Sequence, residues 1–287
     1  MCPFKIVDVF TVTPFMGNPV AVVMQADGLS DAQMQAIAAW TNLSETTFHL
    51  TPETAGADYR LRIFTPRSEL PFAGHPTLGS AHALVEAGLV TPRDGRLVQD
   101  CATGLVPITL EGEGAERRLQ LEMPEAQITP LSEVEATRLT DILGQPYAAG
   151  TAPAMVDVGP RWIVAELADA ETVITLTPDL AASAVFETEM GVTGVTVFGR
   201  HAEGPAQIET RSFAPGDGIA EDPVCGSGNG SVAAFRMDIG TLAEGDSYVA
   251  AQGRCVGRAG AVAVSVSGGK VYVGGAAVTT VEGTIAL

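Results

Sequence analysis

Apolar and polar positions alternate with two different periods along the chain, and the switches between them predict its elements. The runs FKIVDVF (4–10) and PVAVVM (19–24) are short, rich in β-branched residues and separated by the turn-like TPFMGN, which predicts an opening hairpin. Ser30 then stands as an N-cap before DAQMQAIAAW, where Met34, Ile37 and Ala38 fall at helical spacing, and that helix should end near TNLSE. In DYRLRIF (58–64) the alternation is strict, with Tyr59, Leu61 and Ile63 on one face and Arg60 and Arg62 on the other, so a half-exposed strand is expected. A second helix is predicted from Pro76, with Leu78, Ala81, Leu84 and Val85 on one face and Gly88 as its stop. LVPITL and RLQLEM read as further strands, and AVAVSVSGGKVYVGG alternates on both sides of Gly268-Gly269, a hairpin signal.

Periodicity is lost at PEAQITP, which carries two prolines. The expected division is therefore a first domain over 1–124, a linker over 125–130 and a second domain over 131–276, with a last strand at 277–287 returning to the first. Strands outnumber helices throughout, which argues for an α+β fold with largely antiparallel sheets.

The chain also repeats itself. RIFTPRSELPFAGHPTLGS and RSFAPGDGIAEDPVCGSGNGS both give Arg-x-Phe-x-Pro, then an acidic residue, then Pro-x-x-Gly, then a helix that closes on glycine. Pro71 and Pro223, Gly74 and Gly226, and Gly88 and Gly240 are each 152 residues apart. VDVFTVTPFMGNPVAVV and VDVGPRWIVAE look like the opening strands of the two halves. Two related domains follow, each with one glycine-rich helix start.

A helix start carries unpaired N–H groups and about half a positive charge, so it can hold a carboxylate or a developing oxyanion. Gly74, Gly226, Gly228 and Gly230 would let the backbone approach such a ligand, and His75 and Ser227 take matched places one residue after the paired glycines. A histidine at such a junction is in general more often a structural residue than a catalyst. The spacing GxGxG in GSGNG departs from the dinucleotide-binding GxGxxG, and Ser227 is not in the GxSxG order of a nucleophile elbow.

Composition narrows the partners. The 287 residues carry 34 acidic against 16 basic side chains, a formal net charge of −18, which argues against nucleic acid. No apolar run has the length of a membrane helix and the first residues are unlike a signal peptide, so a cytoplasmic protein is expected. Cys2, Cys101, Cys225 and Cys255 are scattered and form no CxxC pair, so reduced thiols are expected. The four histidines show no HxxxH or HExxH spacing, so no metal site is called.

Taken in order, VDVFTVTPFMGNPVAVV, NLSETTF, RIFTPRSELPFAGHPTLG, RSFAPGDGIAEDPVCGSGNG and AQGRCVGR resemble the motifs of the PhzF-like phenazine-biosynthesis isomerase family, over nearly the whole chain. The resemblance implies two pseudo-symmetric domains of the diaminopimelate-epimerase type, each a curled sheet round a central helix, with the active site in the cleft between them, and a homodimer. It further implies an isomerase that works without cofactor or metal on a small carboxylate-bearing cyclic substrate of the dihydro-hydroxyanthranilate type. By motif match, Glu45 would be the general acid/base, His75 and Asp222 its assistants, and Gly74 and Ser227, with Gly226 and Gly228, the substrate-binding positions. Read from the residues alone, Glu45 could equally be an exposed turn residue in LSET, and Asp222 a turn residue before Pro223.

Epimerases of this fold use one cysteine at each helix mouth. Here Cys225 faces a matched Ala73 across the repeat, so the thiol pair is missing. Cys225 is then a packing residue, or a thiol of lowered pKa. An amino-acid-type epimerase using Glu45 and Cys225, and an idle small-anion-binding protein, stand as the alternatives.

Overall fold

The computed structural model describes residues 1–286. The chain divides into two compact units, the first holding Met1–Leu121 and the segment from Gly274, the second Glu122–Val273. Both are α+β, with curled, mostly antiparallel sheet and few helices.

Along the first unit run β1 (Cys2–Val9), β2 (Asn18–Val23), α1 (Asp31–Thr41), β3 (Glu45–Leu50), β4 (Tyr59–Phe64), β5 (Glu69–Leu70), α2 (Gly74–Glu86), β6 (Arg96–Cys101), β7 (Gly104–Glu111) and β8 (Arg118–Glu122). The second continues with β9 (Gln127–Pro130), α3 (Glu133–Leu143), β10 (Ala154–Asp157), β11 (Arg161–Glu166), α4 (Ala170–Thr175), α5 (Leu180–Met190), β12 (Gly194–Arg200) and β13 (Ile208–Ala214). It goes on through β14 (Ile219–Asp222), α6 (Gly226–Asp238), β15 (Ser247–Gln252), β16 (Gly260–Ser267) and β17 (Lys270–Gly275). The last strand, β18 (Ala277–Ile285), pairs with β1 from Val9↔Ala277 to Cys2↔Ile285.

Strand pairing repeats the sequence repeat. In the first unit β18, β1 and β2 are antiparallel neighbours, β2 lies parallel to β3, β3 antiparallel to β4, β4 antiparallel to β5 but parallel to β6, and β6 antiparallel to β7. In the second, β9, β10, β11, β12, β13, β14, β15 and β16 pair in the same order and with the same two parallel joints, β11 with β12 and β13 with β15. The parallel joints need long crossovers, and the helices supply them.

Each unit is built round one buried helix. α2 and α6 have the same length, 13 residues, and start 152 positions apart. α2 packs on β1, β2, β3 and β18, and α6 on β10, β11, β12 and β16. The expected apolar face of α2 is only part of what it buries, because every residue from His75 to Leu84 is buried. A helix buried all round must satisfy its polar side chains internally. Ser80 Oγ lies 2.8 Å from Thr47 Oγ1, and Gln99 Nε2 donates to Thr77 Oγ1 at 3.1 Å. In α6 the residue matched to Thr77 is Asn229, whose Nδ2 donates to Gln252 Oε1 at 2.9 Å. Thus a glutamine on the parallel strand after each central helix anchors that helix at its fourth residue.

Two expectations change. Of the linker expected over 125–130, Gln127–Pro130 is strand, paired with β10 from Ala154↔Pro130 to Asp157↔Gln127. Pro130 masked it in the sequence, yet a proline at the last strand position removes no interior ladder bond. Helices α3, α4 and α5 are additional to the predicted elements. The cap of α3 is plain in retrospect, Ser132 and Glu135 forming a reciprocal capping box. The hairpin of β1 and β2, the N-cap of α1 at Ser30, and four free cysteines agree with the sequence reading. No helix among the described residues is long and apolar enough to cross a membrane.

Close approach of α2 to the sheet depends on Gly79. A Cβ there would lie 2.4 Å from Val20 Cγ1 and 2.9 Å from Val9 Cγ2, both fully buried side chains. Gly79→Ala is therefore expected to destabilise the protein by about 1–3 kcal/mol despite its gain in helix propensity. Urea unfolding at equal slope would read this as a lowered midpoint, and an unchanged or raised midpoint would show that the strands give way freely.

Candidate functional site

The sequence-predicted site residues fall into two groups, one in each unit. In the first unit, α1 ends at Thr41, and Asn42 takes a left-handed conformation at φ 55° to turn the chain. Thr41 Oγ1 and Thr46 Oγ1, 2.7 Å apart, tie the helix end to the start of β3. Glu45 is the first residue of that strand, paired with Val20, and only 15% of its side chain is exposed. It is not the exposed turn glutamate that LSET allowed.

His75 is the second residue of α2 and is 8% exposed. Its Nε2 lies 3.3 Å from Glu45 Oε2. Burial pushes the Glu45 carboxyl up to about 7, against a weaker opposing hydrogen bond from Ser44. Gly74, at the mouth of α2, has only Leu121 Cδ1 near the direction a side chain would take, at 4.0 Å. The N-cap, Ala73, offers no side-chain bond to the helix, so no cap side chain occupies the first N–H groups of α2.

In the second unit the matched N-cap is Cys225, and its sulfur does act as a cap, accepting the N–H of Gly228 at 3.2 Å. Burial drives the Cys225 thiol far above the usual range, and the carboxylate of Asp222 adds to it. The lowered thiol pKa considered from the sequence is thereby corrected: a thiol closed in by packing and a neighbouring negative charge stays protonated.

Gln252 sets the loop before α6. Its Oε1 accepts from Cys225 N at 3.0 Å, and its Nε2 donates to Asp222 O at 3.1 Å. Asp222 itself ends β14 and accepts Val224 N–H through Oδ1 at 3.0 Å, the turn role foreseen for it. Ser227, the second residue of α6, is part-exposed and accepts the indole N–H of Trp162 at 3.0 Å.

Two glycines of this stretch lie against other side chains. Gly228 is fully enclosed, its missing side chain leaving room for Ser212 Oγ and Thr196 Oγ1 at 2.7 Å each, and its N–H is taken by Cys225. Gly230 makes room for Met123, whose Cε lies 2.4 Å from where a Cβ would stand.

Sequence reasoning missed Trp162 and Gln252, which lie 65 and 27 residues from the groups they hold. One signal was available for Gln252. A glutamine occurs in the strand that follows each glycine-rich helix, in RLVQDC and SYVAAQ.

A family model for phenazine biosynthesis-like proteins, PhzC-PhzF, matches residues 7–283. The chain belongs to this family. Among its relatives, antisense-enhancing sequence 1 of Schizosaccharomyces pombe is 42% identical over 289 residues, covering 98% of this chain and 97% of its own. The trans-2,3-dihydro-3-hydroxyanthranilate isomerase of Pseudomonas chlororaphis is 35% identical over 291 residues, covering 99% of each chain. In fold, the chain is similar to a Bacillus anthracis phenazine biosynthesis protein of the PhzF family, with TM-score 0.88, 23% identity, and coverage of 100% and 99%. This PhzF-like protein is accordingly an enzyme of the isomerase class.

Two outcomes follow from the titrations. Glu45 holds a proton in the folded chain up to about pH 7 but only up to its ordinary 4.5 when unfolded. Stability therefore falls as pH rises through that window, by on the order of 3 kcal/mol once both states are ionised. Glu45→Gln, which cannot ionise, should raise Tm over wild type at pH 8 and give almost no gain at pH 4.5. Equal gains at both values would mean that the carboxyl is not raised. For Cys225, iodoacetamide at pH 8 should leave the thiol unmodified in the folded protein and label it in urea, as read by peptide mass spectrometry. Rapid labelling of the native protein would contradict a closed thiol.

Proposed function

We propose that the protein is an isomerase that relocates a proton within a small, carboxylate-bearing cyclic substrate of the dihydro-hydroxyanthranilate type, with Glu45 as general acid/base. The observation that carries this is the Glu45–His75 pair: a carboxylate 3.3 Å from a buried imidazole, raised by burial to about 7. A group that takes a proton from carbon and returns it elsewhere must be available in both protonation states near working pH, and an ordinary glutamate is not.

Chemically, the Glu45 carboxylate removes a proton from a ring carbon next to a carbon–carbon double bond. The electron pair of the broken C–H bond moves into the ring and shifts the double bond. The carboxylic acid so formed returns the proton at another ring carbon, and nothing is oxidised or reduced. His75, beside the carboxylate, assists this transfer. The mouth of α6, with Gly226 and Ser227, suits the substrate's carboxylate through N–H and hydroxyl donors. Asp222 is the assisting acid of this reading, held by the turn at Val224 and by Gln252.

The 35% identity to a named trans-2,3-dihydro-3-hydroxyanthranilate isomerase supports this substrate class. An epimerase using Cys225 as a second base is disfavoured, since that sulfur caps α6 and its thiol is held protonated. With trans-2,3-dihydro-3-hydroxyanthranilate in D2O, NMR should show loss of a ring proton signal and new product with wild type and neither with Glu45→Gln. The acid limb of kcat/KM should lie near pH 7, because the base form of Glu45 is lost below it. Exchange that survives Glu45→Gln would remove Glu45 from the reaction, and no exchange with wild type would reject this substrate.

A further inference from the structure

Ser227 makes a hydrogen bond whose direction is fixed by chemistry. The indole of Trp162 is a donor only, so at 3.0 Å its N–H must take one of the two lone pairs of Ser227 Oγ. The hydroxyl proton of Ser227 is then turned away from the indole. Among the described residues its other hydrogen-bond partner is Cys225 Sγ, at 3.6 Å, a weak acceptor that already receives the N–H of Gly228 at 3.2 Å. An anionic oxygen at the mouth of α6 accepts that proton far better than the sulfur does.

The indole has no freedom to release this constraint. Trp162 is 3% exposed on β11, next to β12, and pairs in register with Gly194. A Cβ at Gly194 would lie 2.8 Å from Trp162 Cζ3 and 2.1 Å from Phe213 O. A glycine is thus placed where the ring needs space, and the ring is held in a slot that points its N–H at Ser227.

We infer that Trp162 is a positioning residue that presets Ser227 as a hydrogen-bond donor, and that it thereby makes the mouth of α6 select a carboxylate over a neutral amide of the same shape. The reading rests on the substrate class proposed above. Without the indole, Ser227 would rotate freely and could accept from a carboxamide N–H₂ as readily as it donates to a carboxylate. A carboxamide can accept the Ser227 proton through its carbonyl, but that neutral bond is weaker than the charge-assisted bond to a carboxylate, and the difference is the specificity.

The test uses the full chain and two matched, non-reacting probes, cyclohexene-1-carboxylate and cyclohexene-1-carboxamide, titrated by calorimetry. Wild type should bind the carboxylate at least about tenfold more tightly than the carboxamide, the range of a charge-assisted bond. Trp162→Phe keeps a ring in the slot and removes the donor, and it should lose most of that preference through weaker carboxylate and stronger carboxamide binding. Ser227→Ala should lose the preference too, and the double variant should lose no more than Ser227→Ala alone.

The chain has two tryptophans, and Trp40 is 78% exposed. In a Trp40→Phe background the emission of Trp162 reports its own bond. It should shift when the carboxylate binds, and that shift should vanish with Ser227→Ala, which a purely structural tryptophan would not show. If wild type discriminates and Trp162→Phe discriminates equally, the inference is overturned while the isomerase reading stands. If wild type binds neither probe, or binds the amide as tightly, the carboxylate reading itself fails and carries this inference with it.

Discussion

A helix buried on every side is the constraint that shapes each unit. Such a helix cannot turn a polar face to water, so its polar side chains need internal partners, and its first turn needs something to receive its N–H groups. Thr77, Ser80 and Asn229 meet the first demand through Gln99, Thr47 and Gln252. The second demand is met differently in the two units. Cys225 caps α6 with sulfur, whereas Ala73 cannot cap α2 at all. The repeat therefore supplies one scaffold twice and leaves two chemically distinct helix mouths.

That difference decides what each mouth can do. Beside the uncapped mouth of α2 stands a buried carboxyl that is costly to ionise, which is a stability defect and the kind of group the proposed proton transfer calls for. At the mouth of α6 several polar groups are held in place: Cys225 by Gly228, the Asp222–Cys225 loop by Gln252, Ser227 by Trp162. One mouth stands beside a buried carboxyl, and the other is closed by a sulfur cap. The same division explains why the thiol at Cys225 does not become a nucleophile. Its acceptor capacity is directed into the helix, and burial outweighs the hydrogen bonds from Ser227, Gly228 and Ser212 that would favour a thiolate.

Much of this was legible in sequence because it is local. Alternation in DYRLRIF, the β-branched runs of the opening hairpin, and the spacing between Gly74 and Gly226 are short-range patterns that survive into β4, the β1–β2 pair and the matched starts of α2 and α6. The resemblance to a family led to Glu45, which its own neighbours in LSET would have placed on the surface. What was illegible depends on distance or on competing local signals. Pro130 hid β9, and the weak amphipathicity of α5, which buries only Ser183, Phe186 and Glu187, hid that helix. The glycines of GSGNG read as a uniform ligand cradle, yet two of them have their own neighbours: Ser212 and Thr196 at Gly228, Met123 at Gly230. A sequence shows that side chains are missing there and not what fills the space.

Trp162 illustrates the same limit with a functional consequence. In the chain it is one aromatic residue in an opening strand, indistinguishable from core. Its meaning comes from three distant positions: Ser227, which accepts its N–H, and Gly194 and Phe213, which together define the slot. Apolar packing alone would be served by any large ring, so the indole nitrogen is the part that packing does not explain. Buried donors are rarely left unpaired, and this one is paired to a hydroxyl at a helix mouth rather than to a backbone carbonyl. A carbonyl would have satisfied the donor and done nothing else. A hydroxyl passes the constraint on, converting a core residue's need for a partner into a fixed polarity at the surface where a ligand would arrive.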